Sequence, residues 1–337
     1  MLRTADLVDV GLAVAAQRLV EQSLGIVPGE KVLVVYDKAH EDIVAVVGDA
    51  IREARSEPIL IRLEDLGARP HAFLHARIAE AVALAQASLL LVDFNKGELE
   101  MRTDMIERAT RQGLRHGHMV GVARSSMVEG FSVDPQRIAQ KARELAIRLK
   151  PDARITVRSA DAELVIRLAP SCRWVEYGCI VASGKRVNLP GGELITSPDS
   201  VDGVYVANGT LGDADGALNR LLQSTPITLR IVGGRAKSVE CEHDPALARA
   251  IVARFARATN LDRVGLVSFG VNLGLTAPIG DVFSDQKIPG VHLSFGDSFA
   301  HETGATWTSK SWLAFTSVEH DADIDKLRVL RRGRYVF

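Results

Sequence analysis

The stretch KVLVVYD (Lys31–Asp37) is a short apolar run that ends on a charged residue. An unbroken apolar run of this length is typical of a strand that is buried on both faces of a parallel sheet. Three similar runs follow it, and segments with helical periodicity lie between them. The runs are EPILIRL (Glu57–Leu63), SLLLVDF (Ser88–Phe94) and HMVGVAR (His118–Arg124), and the helical segments are 41–55, 71–87, 98–115 and, capped by Asp134 before Pro135, 134–150. This alternation predicts parallel βαβ units in a doubly wound sheet.

Doubly wound sheets often bind nucleotides through a glycine-rich turn after the first strand. The residues there read YDKAHED (Tyr36–Asp42), without the G-x-G-x-x-G pattern, and no G-x-x-x-x-G-K-[ST] motif occurs anywhere in the chain. The sequence therefore does not predict a nucleotide site.

The pattern changes near Pro151. From ARITVRSADAELVIRLAP (Ala153–Pro170) onward the chain is rich in short strands and glycine turns, which is typical of antiparallel pairing. One helix interrupts it, predicted at 244–260 with Asp244 as the N-cap and a proline next. We therefore expect an α/β domain with a parallel doubly wound sheet at residues 1–150, followed by an α+β domain at residues 151–337.

The composition and net charge restrict the classes of binding partner that are expected. The 337 residues are 47% apolar, and 41 Lys and Arg against 42 Asp and Glu give a net charge of −1, so neither a nucleic acid nor an anionic membrane is expected as a partner. The short basic segment RVLRRGR (Arg328–Arg334) is interpreted as a solvated surface strand.

Cysteine use and the N-terminus indicate a compartment. The three cysteines, Cys172, Cys179 and Cys241, have no C-x-x-C spacing and cannot all pair, which favours a reducing cytoplasm. The first twenty residues lack the basic region and clean apolar core of a signal peptide, and no apolar run approaches the roughly 18 residues of a membrane span. A cytoplasmic location is expected.

Most histidines offer weak evidence for a site. His71 and His75 are four apart on a predicted helix and could share a face as metal ligands, but no third ligand is near, so a packing role is favoured. His116 and His118 flank a glycine and are interpreted as a turn.

The loop GDSFAHETG (Gly296–Gly304) places Ser298, His301 and Glu302 close together in sequence. Three residues on one short loop rarely give the geometry of a serine nucleophile with its base and orienting acid, so a serine hydrolase is not expected. The loop remains a candidate for ligand binding.

Two other stretches remain open on their own residues. In VNLPGGELITSP (Val187–Pro198), the tight turn before Glu193 either fixes a metal-binding carboxylate or closes a hairpin with a solvated Glu. In PGVHLSFGDS (Pro289–Ser298), His292 is a metal ligand, a base or a core histidine.

These two stretches carry a resemblance to a known family. NLPGGELITSP is similar to a motif of the aminopeptidase T family of metallo-aminopeptidases, and VGLVSFGVNLGLTAPIGDVFSDQKIPGVHLSFGDS (Val264–Ser298) follows a second stretch of that family. The likeness is specific over about residues 152–317 and only architectural before them. It implies an aminopeptidase-T-like α+β domain whose two divalent metals are held by two Glu, two His and one Asp, and that activates a water on the scissile carbonyl.

Carried onto this chain, the resemblance implies an incomplete site. Glu193 and His292 match two metal ligands, whereas Leu266 falls on the second glutamate. The terminal H-x-D falls on Ser311 and Leu313 by an ungapped count, or on Trp312 and Ala314 after a shift of one residue.

An acid of the family motif is also replaced in Asp285-Gln286-Lys287. Three of five metal ligands are therefore expected to be lost, which leaves no cofactor, or at most weak binding of a divalent metal. Asp281, His301 and Glu302 could rebuild a site.

The resemblance leads to three hypotheses of function. The first is a non-catalytic peptide-binding protein, for example a precursor-peptide recognition subunit in a peptide natural-product pathway, with Trp307, Trp312, His301 and Glu302 as candidate peptide contacts. The second is a metal-dependent aminopeptidase, or a relative of the ring-cleaving iron dioxygenase that shares this scaffold, with a rebuilt metal site. The third is a scaffold partner of an active paralogue. The expected partners are a peptide or protein ligand and a second copy of the chain in a homodimer.

Overall fold

The computed structural model describes residues 4–214 and 216–337, with side chains from residue 10 onward. The helices are α1 (Thr4–Arg18), α2 (Glu41–Glu53), α3 (Ala76–Leu84), α4 (Leu99–Arg111), α5 (Arg124–Gly130), α6 (Pro135–Ala146), α7 (Pro245–Phe255), α8 (Val282–Asp285) and α9 (Ala300–Thr303). The strands are β1 (Lys31–Tyr36), β2 (Glu57–Arg62), β3 (Ala87–Val92), β4 (Arg115–Val120), β5 (Arg154–Ser159), β6 (Ala162–Arg167), β7 (Val175–Tyr177), β8 (Arg186–Asn188), β9 (Glu193–Thr196), β10 (Ser200–Ala207), β11 (Thr210–Asp213), β12 (Arg220–Leu221), β13 (Ile227–Val232), β14 (Arg235–Glu240), β15 (Val264–Gly270), β16 (Gly290–Gly296), β17 (Trp312–Phe315), β18 (Asp321–Ile324), β19 (Leu327–Arg331) and β20 (Arg334–Tyr335).

The chain divides into two compact units, and the division differs from the one expected at residue 150. The first unit is Met1–Ala139 with Gly178–Gly191, and the second is Gln140–Tyr177 with Gly192–Phe337. The physical reason is β8, which pairs in parallel with β4 and so returns the segment around it to the first unit.

The first unit contains a five-stranded parallel sheet in the order β2-β1-β3-β4-β8. The four apolar runs of the sequence are β1 to β4, although β4 begins three residues earlier than expected, at Arg115. Two separate clusters of buried apolar side chains pack in this unit, as expected of a doubly wound sheet covered on both faces. The order of the strands reverses between β1 and β3, and such a reversal leaves a crevice at their carboxyl ends.

The second unit contains two antiparallel sheets. The eight-stranded sheet has the order β14-β13-β10-β6-β5-β18-β19-β20, and the seven-stranded sheet has the order β12-β11-β17-β16-β15-β9-β7. The second unit also contains α7, α8 and α9 and the part of α6 that follows Ala139.

The seven-stranded sheet has one apolar face and one small, polar face. On the apolar face, Phe295 and Phe315 lie edge to face, and Phe255 of α7 packs on both. Tyr205 of the other sheet donates its hydroxyl to the carbonyls of Val291 and Phe315, at 3.0 and 3.2 Å. This face is therefore the core between the sheets, and the opposite face is left for the residues described below. Within the described part of the chain, no helix has the length and apolar character that a membrane span requires.

Candidate functional site

The residues expected to form a site lie on the polar face of the seven-stranded sheet. Glu193 begins β9 and pairs with Gly270 of β15, and His292 lies within β16 and pairs with Ser268 of β15. Since alternate residues of a strand share a face, Ser268, Gly270 and Leu266 point to the same side. The register therefore places Glu193, His292 and Leu266 on one face of the sheet.

Glu193 is buried, so it is not the solvated residue of a hairpin. The Oγ of Ser268 donates a hydrogen bond to its Oε1 at 2.6 Å. Burial raises the pKa of Glu193, and the charge of Lys287 and the bond from Ser268 oppose that rise. Lys287 is itself buried, and its Nζ donates to the carbonyl of Phe283. The positive charge that favours the ionised form of Glu193 is thus a lysine of this chain.

Both ring nitrogens of His292 are engaged by backbone groups. Its Nδ1 accepts the N–H of Ser317 at 3.2 Å, which requires the proton to lie on Nε2. Its Nε2 then donates to the carbonyl of Ile288 at 2.9 Å. The side chain is completely buried, and burial lowers its pKa to about 4. His292 is therefore a neutral histidine with a fixed tautomer, and neither nitrogen has a free lone pair.

A second buried histidine lies beside it. The Nε2 of His320 accepts the N–H of Val291 at 2.8 Å, and burial lowers the pKa of His320 to about 3. Gly290 separates the two rings, because a Cβ there would contact both of them and the carbonyl of Ser317. The two imidazoles thus act as hydrogen-bonding elements that hold the turn after β17 against β16.

The structure distinguishes the two registers considered for the terminal H-x-D. Trp312 and Ala314 of β17 lie on the same face as His292, since they pair with alternate residues of β16. Leu313 lies on the opposite, apolar face, and Ser311 precedes the strand. The shifted register is therefore the one that faces the site, and its indole and methyl side chains carry no group that coordinates a divalent metal.

The segment that includes α8 covers this face. Asp281 is the N-cap of α8 and accepts the N–H and the hydroxyl of Ser284, at 3.0 and 2.6 Å. Asp285 accepts the hydroxyl of Thr210 at 2.6 Å and two backbone N–H groups of the preceding loop. Burial raises the pKa of Asp281, and it raises that of Asp285 to about 6. Both carboxylates therefore stabilise the covering segment rather than presenting free oxygens.

The loop after β16 carries the other expected residues. His301 and Glu302 are exposed on α9, and the hydroxyl of Tyr177 donates to Glu302 at 3.4 Å. The Oγ of Ser298 donates to the carbonyl of Trp307 rather than to an imidazole. The hydroxyl of Ser298 is therefore held by backbone within this part of the chain.

The two tryptophans lie apart from His292. Trp307 stacks on the guanidinium of Arg263 at 4.2 Å, and Trp312 packs edge to face on Phe283 at 5.6 Å. Trp312 is level with Gly296, four residues along β16 from His292, or about 13 Å at the rise of a strand. The structure therefore does not bring the tryptophans to the site residues.

Sequence reasoning missed a cluster in the first unit. Asp37 follows β1 and Asp93 follows β3, so both lie at the strand reversal, and His40 joins them; one ligand atom of each lies within 4.8 Å of the others. The signal was present in the sequence, since Asp37 and Asp93 follow the last apolar residues of the two strands.

The hydrogen bonds of this cluster identify it as a charge network. Asp37 bonds the Nδ1 of His40 and the Nη1 of Arg69, both at 2.6 Å, and accepts the N–H of Asp93 at 2.7 Å. Arg69 also holds Glu98 through two bonds, at 2.8 and 2.6 Å. Burial opposes the charge of Asp37, but the bonds from His40, Asp93 and Arg69 outweigh it and lower its pKa. The other nitrogen of His40 is engaged by backbone at Val122, so the network leaves no nitrogen ligand for a metal.

The remaining histidines differ from their expected placement. His71 and His75 precede α3 instead of sharing its face: His75 is its N-cap, and His71 bonds the carbonyl of Leu63 at 3.0 Å. His116 and His118 lie within β4 rather than in a turn, because the strand begins earlier than its apolar run, and burial lowers the pKa of His116 to about 3.

The whole chain has an aminopeptidase-T-like fold. AmpT, the aminopeptidase T of Thermus thermophilus, matches with a TM-score of 0.62 and 17% identity over 98% of this chain and 100% of that one. The 2,5-dihydroxypyridine dioxygenase of Pseudomonas putida KT2440 matches with a TM-score of 0.66 and 16% identity over 100% of this chain and 98% of that one.

Sequence comparison adds nothing to this likeness. No family model matches the chain, and no curated protein matches it. At these sequence identities the two structural matches show the fold alone, and one of the matching proteins is a peptidase and the other a dioxygenase. The activity of this chain therefore has to be argued from its own site residues.

Proposed function

We propose that this chain is a non-catalytic, peptide-binding protein built on the aminopeptidase T fold. The observation that carries the proposal is the hydrogen bonding of His292, whose two nitrogens are both bound to backbone groups. A histidine ligand needs a free lone pair on a ring nitrogen. Metal binding at His292 would therefore break the hydrogen bond from the N–H of Ser317, or would remove the Nε2 proton that His292 donates to the carbonyl of Ile288.

The neighbours of His292 support the same conclusion. Ser268 donates a hydrogen bond to Glu193, and the charge of Lys287 favours the ionised form of that carboxylate. Leu266 and Ala314 present only hydrocarbon on the same face. Among residues 4–214 and 216–337, the one group of three potential ligands within 4.8 Å is the charge network of the first unit. The pair of metals that would activate a water therefore has no ready set of ligands on this face.

The peptide-binding part of the proposal rests on the fold. An aminopeptidase acts on a peptide, and the antiparallel sheet of such a fold offers strand edges and side-chain pockets that hold an extended chain. We extend the proposal to a subunit that recognises a precursor peptide, that works as a homodimer and that resides in the cytoplasm. None of Cys172, Cys179 and Cys241 is in a disulfide, which supports the last point.

The competing proposal is an active metallo-enzyme, an aminopeptidase or a dioxygenase, with a rebuilt site. The structural match to a dioxygenase favours keeping it, because one scaffold then hosts two chemistries. It requires Asp281, His301 or Glu302 to become ligands, although Asp281 is committed to Ser284 and the other two are exposed on α9.

Calorimetric titration with peptides, paired with an assay for release of aminoacyl dyes, tests the proposal. We expect heat from binding of at least one peptide and no dye release with Zn²⁺, Mn²⁺ or Co²⁺. Dye release that a chelator abolishes and metal restores, and that is lost in Glu193→Gln but kept in the surface control Arg154→Gln, would overturn the proposal.

A further inference from the structure

A groove of about 970 Å³ lies in the second unit, against the segment that leads into β16. One wall is apolar and includes Leu275, Ile288, Pro289 and Val318. The volume falls in the range of sites that take a drug-sized or short peptide ligand.

Two lining residues of this groove are hydrogen-bonded to residues of the site face described above. The carbonyl of the lining residue Ile288 accepts a hydrogen bond from Nε2 of His292. The hydroxyl of the lining residue Tyr335 donates a hydrogen bond to the carbonyl of Gly270 at 2.7 Å. Gly270 is the partner of Glu193 in the sheet. A ligand in the groove would therefore lie beside the last residue of β15, which pairs with Glu193, and beside the start of β16, which contains His292.

The lining also includes a hairpin with three arginines. Arg331 and Arg334 pair directly across β19 and β20, and Arg332 is in the turn between them with φ 44°. Like charges directly opposite each other destabilise a hairpin, and a left-handed φ is unfavourable for a side chain other than Gly, Asn or Asp. The fold therefore tolerates two unfavourable features that both bring guanidinium groups to this part of the lining.

These guanidinium groups have no anionic partner within the described chain. No hydrogen bond or ion pair joins the side chains of Arg331, Arg332 or Arg334 to residues of 4–214 and 216–337, and all three are exposed. In contrast, Arg328 of the same hairpin pairs with Asp321 at 2.5 Å and with Asp323. Glu319 is the one acidic side chain among the described lining residues, against the three arginines and Lys141.

We propose that this groove binds an acidic peptide segment, with its carboxylates on the arginine hairpin and an apolar side chain on the wall of Ile288 and Pro289. This deepens the proposed peptide-binding function and rests on it. Charge complementarity selects an acidic ligand, and carboxylates can pair with guanidinium groups in two-bond geometry. The apolar wall and Glu319 disfavour a polyphosphate backbone, so a peptide is favoured over a nucleic acid.

Fluorescence anisotropy with three labelled hexapeptides tests the inference. The peptides alternate leucine with glutamate, glutamine or lysine, so they differ in charge at nearly constant shape. We expect the glutamate peptide to bind most tightly and to weaken as NaCl is raised, because exposed charge pairs are screened by salt.

Variants locate the binding on the hairpin. Arg331→Gln, Arg334→Gln and Arg332→Asn, whose asparagine accepts the left-handed φ, should each weaken the glutamate peptide by about two- to fivefold, and the triple variant by roughly 30-fold. The control Arg154→Gln removes an exposed arginine of β5, outside the groove, and should leave the affinity unchanged. Thermal unfolding verifies that each variant folds.

The outcomes separate this inference from the proposed function. Equal affinity for the glutamate and glutamine peptides, or a triple variant that binds as the unmodified protein does, would overturn the acidic groove but keep a peptide-binding protein. Tighter binding of a labelled oligouridylate than of the glutamate peptide, reduced in the triple variant, would overturn the peptide as occupant. Absence of binding by all three peptides, together with metal-dependent dye release, would overturn both.

Discussion

Replacing His292 by alanine separates a structural histidine from a metal ligand. The substitution leaves the N–H of Ser317 and the carbonyl of Ile288 buried without partners. A buried polar group without a partner costs about 1–3 kcal/mol, so the two together predict a loss of about 2–6 kcal/mol in the free energy of unfolding. The cavity left by the imidazole moves the loss toward the upper part of that range.

The assay is urea-induced unfolding of the metal-free protein, with and without added Zn²⁺. The control His301→Ala, an exposed residue of α9, should change the free energy of unfolding by no more than about 0.5 kcal/mol. The reasoning is refuted if His292→Ala matches this control in the absence of metal, or if Zn²⁺ stabilises the unmodified protein strongly and His292→Ala not at all.

Three further predictions concern stability. The pKa of His320 is about 3 in the folded protein and roughly 6.5 in the unfolded chain, so the stability that neutral His320 contributes is complete above pH 6.5 and is lost as the pH falls toward 3. Over that range this group should lower the free energy of unfolding by about 1.4 kcal/mol per pH unit. Urea unfolding at pH 7, 6 and 5 should therefore show a shallower loss of stability in His320→Gln than in the unmodified protein. Asp37→Asn leaves the charge of Arg69 partly uncompensated and should destabilise the first unit by about 3 kcal/mol, measured by denaturant unfolding, without a change in the affinity of the glutamate peptide; a neutral result would contradict the charge network. Gly270→Ala places a Cβ against the carbonyl of Ile288 and should destabilise the second unit by about 3 kcal/mol or more, seen as a lower unfolding midpoint, whereas unchanged stability would contradict the close cover of the site face.

The sequence predicted those parts of the fold that local patterns determine. The four apolar runs became β1 to β4, and the caps expected at Asp134 and Asp244 are present, accepting the N–H of Gln136 and Leu247 at 2.8 and 2.9 Å. The return of 178–191 to the first unit could not be predicted this way. It depends on three residues of β8 that pair with a strand about seventy positions earlier, and such pairing has no local periodicity.

The candidate site was predicted by residue but not by chemistry. The resemblance matched Glu193 and His292 to metal ligands and Leu266 to a lost one, and the sheet register places the three residues on one face. The hydrogen bonds that define His292 come from Ser317, 25 positions away, and from the carbonyl of Ile288, which no side-chain pattern reveals. Trp307 packs on Arg263 and Trp312 packs on Phe283. Both partners are distant in sequence, so no local pattern shows where the tryptophans lie.

The metal content of the purified protein tests the central claim most directly. The protein is saturated in turn with Zn²⁺, Mn²⁺ and Fe²⁺, dialysed against metal-free buffer and analysed for bound metal, alongside Glu193→Gln and His292→Ala. We predict no stoichiometric ion in the unmodified protein and no difference from Glu193→Gln, since the two ligand-type residues of the site face are held by Ser268, Ser317 and Ile288. At least one ion per chain that survives dialysis and is lost in both variants would contradict the account.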